Sequence, residues 1–148
     1  MTDSDYVRRA VELAAEAERA GDVPIGAVLV CGEVVVDAKN EKEARSDPTA
    51  HAEMLALREA ARRLGSWRIA GATLYVTKEP CLMCAGAIIA ARIERVVFGA
   101  YDPKGGAAGS VVDAFASPAA NHRVSVTGGI LEEETSRQLR TFFERKRK

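Results

Sequence analysis

Between Thr73 and Gly99 the chain has the pattern of a strand, a turn, a helix and a second strand, and this unit most restricts the fold. Thr73–Thr77 is rich in β-branched and aromatic residues. Pro80 breaks the pattern, Leu82–Ala91 is a run of small and apolar residues, and Arg95–Gly99 is β-rich again. Two strands joined by a short helical crossover pair in parallel, with a right-handed connection. A parallel pair needs cover on both faces, which points to an α/β chain. Upstream, Ser4–Ala20 has helical periodicity, with Val7, Val11, Ala14 and Ala17 on one face and Gly21 as the stop. Ile25–Val30 and Glu33–Ala38 read as two strands of a hairpin turning at Cys31-Gly32. The polar stretch Asn40–Thr49 leads through Asp47-Pro48 into a second helix, Ala50–Leu64, stopped by Gly65. Val124–Thr127 is expected as a short edge strand, and Glu132–Arg145 as a closing helix that buries Leu139, Phe142 and Phe143.

No linker or internal repeat interrupts the 148 residues, so a single domain over 1–148 is expected. The apolar runs Ile25–Cys31 and Ala85–Ala91 fall far short of the ~20 residues that span a bilayer. The acidic, amphipathic N-terminus has no signal-peptide core, and a cytoplasmic protein without membrane contact is expected. The 21 Lys and Arg balance the 21 Asp and Glu, so any attraction to a polyanion must come from a local patch. Arg140–Lys148, with five cations and one acid, is such a patch or a solvated helix end.

Three cysteines are an odd number in a chain expected to be intracellular, which argues against a disulfide framework, and the close pair Cys81 and Cys84 reads as a metal site or a reactive thiol. His51-Ala52-Glu53 and Pro80-Cys81-Leu82-Met83-Cys84 each fall at the start of an expected helix. Two cysteines in a first helical turn can aim both sulfurs at one ion, and the helix N-terminus favours thiolates. His51, Cys81 and Cys84 make three ligands for one zinc, and a catalytic zinc keeps its fourth position open for water. Zinc lowers the pKa of that water from about 16 towards 7. Glu53, about 200° round the helix from His51, is not needed as a ligand and is placed as the proton shuttle. A closed site with Cys31 as fourth ligand is the competing arrangement, but the expected position of Cys31 at a hairpin tip argues against it.

The H-x-E and P-C-x-x-C pair is the signature of zinc nucleobase deaminases. Beyond the pair, Asp22–Val30, Asn40, Asp47–Met54, Glu79–Ala87, Asp102–Ser110, Asn121–Arg123 and Phe142-Phe143 resemble the bacterial tRNA-specific adenosine deaminases, over nearly the whole chain. The resemblance implies a three-layer α/β/α sandwich around a mixed five-stranded sheet, of the cytidine-deaminase-like kind. It implies one Zn2+ per subunit on His51, Cys81 and Cys84, with Glu53 as the catalytic residue, in a homodimer. The implied reaction is hydrolytic deamination of adenosine to inosine at the wobble position of a tRNA anticodon stem-loop. Asn40, Asp102, Lys104 and Ser110 are the implied substrate contacts, Asn40 on the flipped purine and Asp102 on a ribose 2′-hydroxyl. Lys78 departs from the family pattern, which usually has an apolar residue there. The motif pair alone leaves open a deaminase of free guanine or cytosine, or a zinc module without activity.

Overall fold

In a computed structural model that describes residues 1–146, the order of elements is α1 (Asp3–Arg19), β1 (Gly26–Cys31), β2 (Val34–Lys39), α2 (Lys42–Arg45), α3 (Ala52–Leu64), β3 (Thr73–Lys78), α4 (Leu82–Ala90), β4 (Arg95–Ala100), β5 (Ser125–Thr127) and α5 (Glu132–Lys146). The five strands form one mixed sheet in the order β2-β1-β3-β4-β5. β1 pairs antiparallel with β2 and β3, while β3–β4 and β4–β5 are parallel. The expected parallel unit therefore forms the centre of the sheet.

Alternation along the strands divides the core into two layers. Ala27, Leu29, Leu74, Val76, Val96 and Phe98 point to one face and bury Ala52, Ala56 and Ala60 of α3 with Ile88 and Ile89 of α4. Val28, Tyr75 and Val97 point to the other face and meet Val7 and Ala10 of α1, with Ile130 and Leu131 before α5. Each fully buried large aliphatic side chain contributes about 2 kcal/mol by leaving water. α1 and α5 share their layer through Gln138 Nε2, which donates to the Val11 carbonyl at 3.0 Å. The result is the expected α/β/α sandwich.

Four local expectations are corrected. The hairpin turns at Gly32-Glu33, because Cys31 still pairs with Val34 and is the last residue of β1. The polar stretch after Asn40 contains the one-turn helix α2, whose Glu43 N–H is capped by Asp22 Oδ2 at 2.9 Å from the α1–β1 loop. Phe143, expected to be buried with Leu139 and Phe142, is 42% exposed on α5, and a short 3-10 turn, Ala114–Ala116, precedes β5. Such caps and turns are set by contacts distant in sequence, which periodicity does not register. The expected basic tail lies on the last turn of α5, and its final two residues, Arg147 and Lys148, fall outside the described residues.

Candidate metal centre

Both motif helices begin at the edge of the sheet with a metal-type side chain as N-cap. His51 caps α3 and Cys81 caps α4, both in extended conformation, and neither side chain makes a cap hydrogen bond. An N-cap normally satisfies a free N–H of the first turn. Asn40 takes over that duty for α3, its Oδ1 accepting the Ala52 N–H at 2.8 Å. His51 is thereby released from capping and turned towards the cysteines.

The donor atoms of His51, Cys81 and Cys84 all lie within 4.8 Å of one another, the sole such group of three among the described residues. His51 Nδ1 is 3.7 Å from Cys81 Sγ and 3.5 Å from Cys84 Sγ. Zinc bonds of about 2.3 Å to sulfur and 2.0 Å to nitrogen, at tetrahedral angles, separate the two donors by about 3.5 Å. The three side chains therefore fit a zinc ion without rearrangement. Cys31 stands apart, its thiol 3.4 Å from the Ala70 carbonyl, so the closed four-ligand site is not formed.

The local electrostatics favour one proton on the cysteine pair. A hydrogen bond from Cys84, strong enough to outweigh burial, and a second contact with His51 hold the Cys81 thiol down to about 3. Cys84 is pushed up, first by that hydrogen bond to Cys81 and then by its burial. Contact with the Cys81 sulfur in turn raises His51 above its ordinary value. A metal ion would displace the remaining thiol proton.

Glu53, in the first turn of α3, is 4% exposed, and its Oε1 has no hydrogen-bond partner. Burial raises its carboxyl above the usual range. A buried carboxylate oxygen left unpaired costs roughly 1–3 kcal/mol or more, so its position needs a ligand or a reacting group to account for it. A water or base on the side of the three donors would supply that partner.

The four residues expected to touch substrate occupy different settings. Asn40 is buried with Oδ1 committed to Ala52, which leaves its amide N–H2 as the free donor. Asp102 Oδ1 accepts the N–H groups of Lys104 and Gly105 at 3.0 and 3.2 Å, closing a turn, and Oδ2 lies 3.2 Å from Lys78 Nζ. Burial pushes the Asp102 carboxyl up, but the Lys104 N–H and the Lys78 ammonium together bring it below its ordinary value. Lys104 is exposed on the same loop. The Ser110 hydroxyl donates to Glu79, so towards a substrate it can only accept.

Glu79 is the residue the motif analysis passed over. It is 2% exposed and accepts from the backbone N–H groups of Asp102, Ala108 and Ser110 at 2.9, 2.9 and 3.1 Å, besides the Ser110 hydroxyl. Burial alone would raise its carboxyl, but these four donors outweigh it and keep the group ionised. One carboxylate thus folds the whole Asp102–Ser110 loop against the metal-bearing helix. The available signal was an acid next to Pro80 inside a quoted motif, facing a loop rich in unpaired N–H groups.

Beside α4, Trp67, Leu82, Ile89, Ala90, Arg92 and Val112 line an open groove of about 950 Å3. Trp67 and Leu82 are 62% and 66% exposed, so this groove carries apolar surface open to solvent.

Comparison with known proteins adds the following. The model of the cytidine and deoxycytidylate deaminase zinc-binding region matches residues 1–100. The tRNA-specific adenosine deaminase of Bacillus subtilis (strain 168) is 50% identical over 99% of this chain and 91% of its own length. A solved structure from work on A-to-I editing by tRNA:A34 deaminases at the wobble position of transfer RNA superposes with a TM-score of 0.89. It is 44% identical over 92% of this chain and 99% of that one. The guanine deaminase of Bacillus subtilis is more distant, with a TM-score of 0.68 and 34% identity over 99% of this chain and 94% of that one.

Proposed function

The chain belongs to the zinc-binding cytidine and deoxycytidylate deaminase family, and on that premise we propose that it converts adenosine to inosine at the wobble position of a tRNA anticodon. The observation that carries the chemistry is the buried Glu53 carboxyl, with Oε1 unpartnered, beside the His51, Cys81 and Cys84 donors. Zinc on those three donors would supply activated water at neutral pH. Glu53 takes up the proton of the attacking water and delivers it to N1 of the adenine. It then takes the proton of the new C6 hydroxyl and passes it to the C6 amino group, which leaves as ammonia. A raised carboxyl pKa suits a group that must both accept and return a proton near neutrality.

Asn40 holds the base edge through its amide N–H2, and its anchored Oδ1 fixes the direction of that donor. Asp102 and Lys104 flank the sugar and phosphate next to the target. Ser110 acts mainly through Glu79. The target base must leave its stack to enter, and an unpaired anticodon loop lowers that cost. Adenosine in tRNA is preferred over free guanine because the adenosine-specific relatives are closer in both identity and superposition.

A homodimer through the groove at Trp67, Leu82 and Val112 covers the exposed apolar surface. Such surfaces near a site are expensive to leave in water. We place the enzyme in the cytoplasm, with its substrate; among the described residues no helix is long and apolar enough to cross a membrane.

The test compares kcat/KM for an anticodon stem-loop bearing wobble adenosine with that for free adenosine, guanine and cytosine, on protein sized by light scattering. Inosine from the stem-loop, preferred at least a thousandfold, and a particle of twice the chain mass are expected. Faster release of xanthine from guanine would contradict the substrate, and a monomer of full activity would contradict the assembly.

A further inference from the structure

Lys78 stands directly before the Glu79-Pro80-Cys81 motif, and the structure gives it a partner. It ends β3, and its ammonium lies 3.2 Å from Asp102 Oδ2, with 26% of the lysine side chain and 16% of the aspartate exposed. The loop does not need this contact to keep its shape. Glu79 already anchors the loop at Asp102, Ala108 and Ser110, and the Asp102 turn is closed by Oδ1. An ammonium has three donors, and Asp102 engages one direction only. Lys78 also lines a groove of about 870 Å3, together with Tyr101, Lys104, Arg140, Phe143 and Glu144.

That groove is a local exception in a chain of zero net charge. Three cations stand there against the carboxylates of Asp102 and Glu144, and the rings of Tyr101 and Phe143 are 49% and 42% exposed. Cations interleaved with exposed rings are what a single-stranded nucleic acid needs, charge for the backbone and flat faces for the bases. An apolar side chain at 78 would leave Asp102 facing a polyanion uncompensated. We infer that Lys78 is a binding residue for the substrate backbone, its ammonium bridging the Asp102 carboxylate and one phosphate of the bound RNA. The inference rests on the RNA substrate proposed above. It gives this chain a phosphate contact on the strand side of the loop, opposite Lys104.

The test uses the full-length zinc-loaded protein as wild type, Lys78→Leu, Lys78→Gln and Lys78→Arg. Stem-loop affinity is measured by fluorescence anisotropy across a series of KCl concentrations, with inosine formation followed in parallel. Loss of one phosphate contact makes log affinity against log salt shallower by about 0.7–0.9. Lys78→Leu and Lys78→Gln should both show that shallower slope and a several-fold higher KM, with kcat within twofold of wild type. Lys78→Arg should restore slope and KM. An unchanged slope in Lys78→Gln, or a lower kcat at unchanged KM, overturns the phosphate contact and leaves Lys78 a support for the loop. Those results with wild-type inosine formation intact count against Lys78 alone. Absence of inosine from wild type overturns the functional reading, and the role of Lys78 with it.

Discussion

Glu53 shows how a single residue separates stability from chemistry. Its buried, unpaired Oε1 is a cost to the fold that a solvated or fully bonded carboxyl would not carry. Glu53→Gln keeps the shape, removes the ionisable group and leaves the three metal donors untouched. A positioned general acid–base contributes roughly a hundred- to ten-thousandfold in rate. Turnover of Glu53→Gln should therefore fall by at least a hundredfold, while zinc content by mass spectrometry stays at one per chain. The melting temperature should be no lower than that of wild type. Loss of zinc would make Glu53 part of the metal centre, and retained turnover would remove it from the chemistry. The grouping of His51, Cys81 and Cys84, with Glu53 placed beside them, was legible in the sequence because the spacing is local: two residues within one motif and three within the other. The setting of Asn40 was not, because its bond to Ala52 spans 12 residues and serves a helix end that the motif itself hides.

At the level of elements, the strands and long helices follow from side-chain periodicity, and the parallel β3–β4 pair follows from the short crossover between them. The turn at Gly32-Glu33 and the helix α2 were missed because a register and a distant aspartate decide them. The Asp102–Ser110 loop belongs to the same class. Its Gly and Ala content fits a functional or a flexible loop equally well, whereas Glu79 draws it into one conformation. Gly106 shows how closely they pack. A Cβ there would collide with the Glu79 carboxyl and lie 2.6 Å from the Asp102 carbonyl oxygen, which is backbone and cannot swing aside. Gly106→Ala should therefore move the loop, lowering kcat/KM on the stem-loop at least tenfold, a loss of about 1.4 kcal/mol of transition-state binding. Zinc content should not change, since no ligand lies on the loop. Activity close to wild type would mean that the loop is not fixed in this form during turnover.

Over the whole molecule, the sandwich converts two sequence-distant motifs into one centre. The sheet sets α3 and α4 side by side on one face, with their N-termini at the same edge, so that residues 30 and 33 positions apart come within 3.7 Å. The layer of α1 and α5 on the other face carries none of the three donors. It braces the sheet and brings Arg140 and Phe143 to the rim beside Asp102 and Lys78. The central claim is that this one centre, loaded with metal, performs the deamination. The direct measurement is the rate of inosine formation in an anticodon stem-loop as metal-free protein is titrated with zinc. The rate should rise in proportion to bound zinc and level off at one ion per chain. Full turnover by protein without metal, or a protein that binds one zinc per chain and forms no inosine, would contradict it.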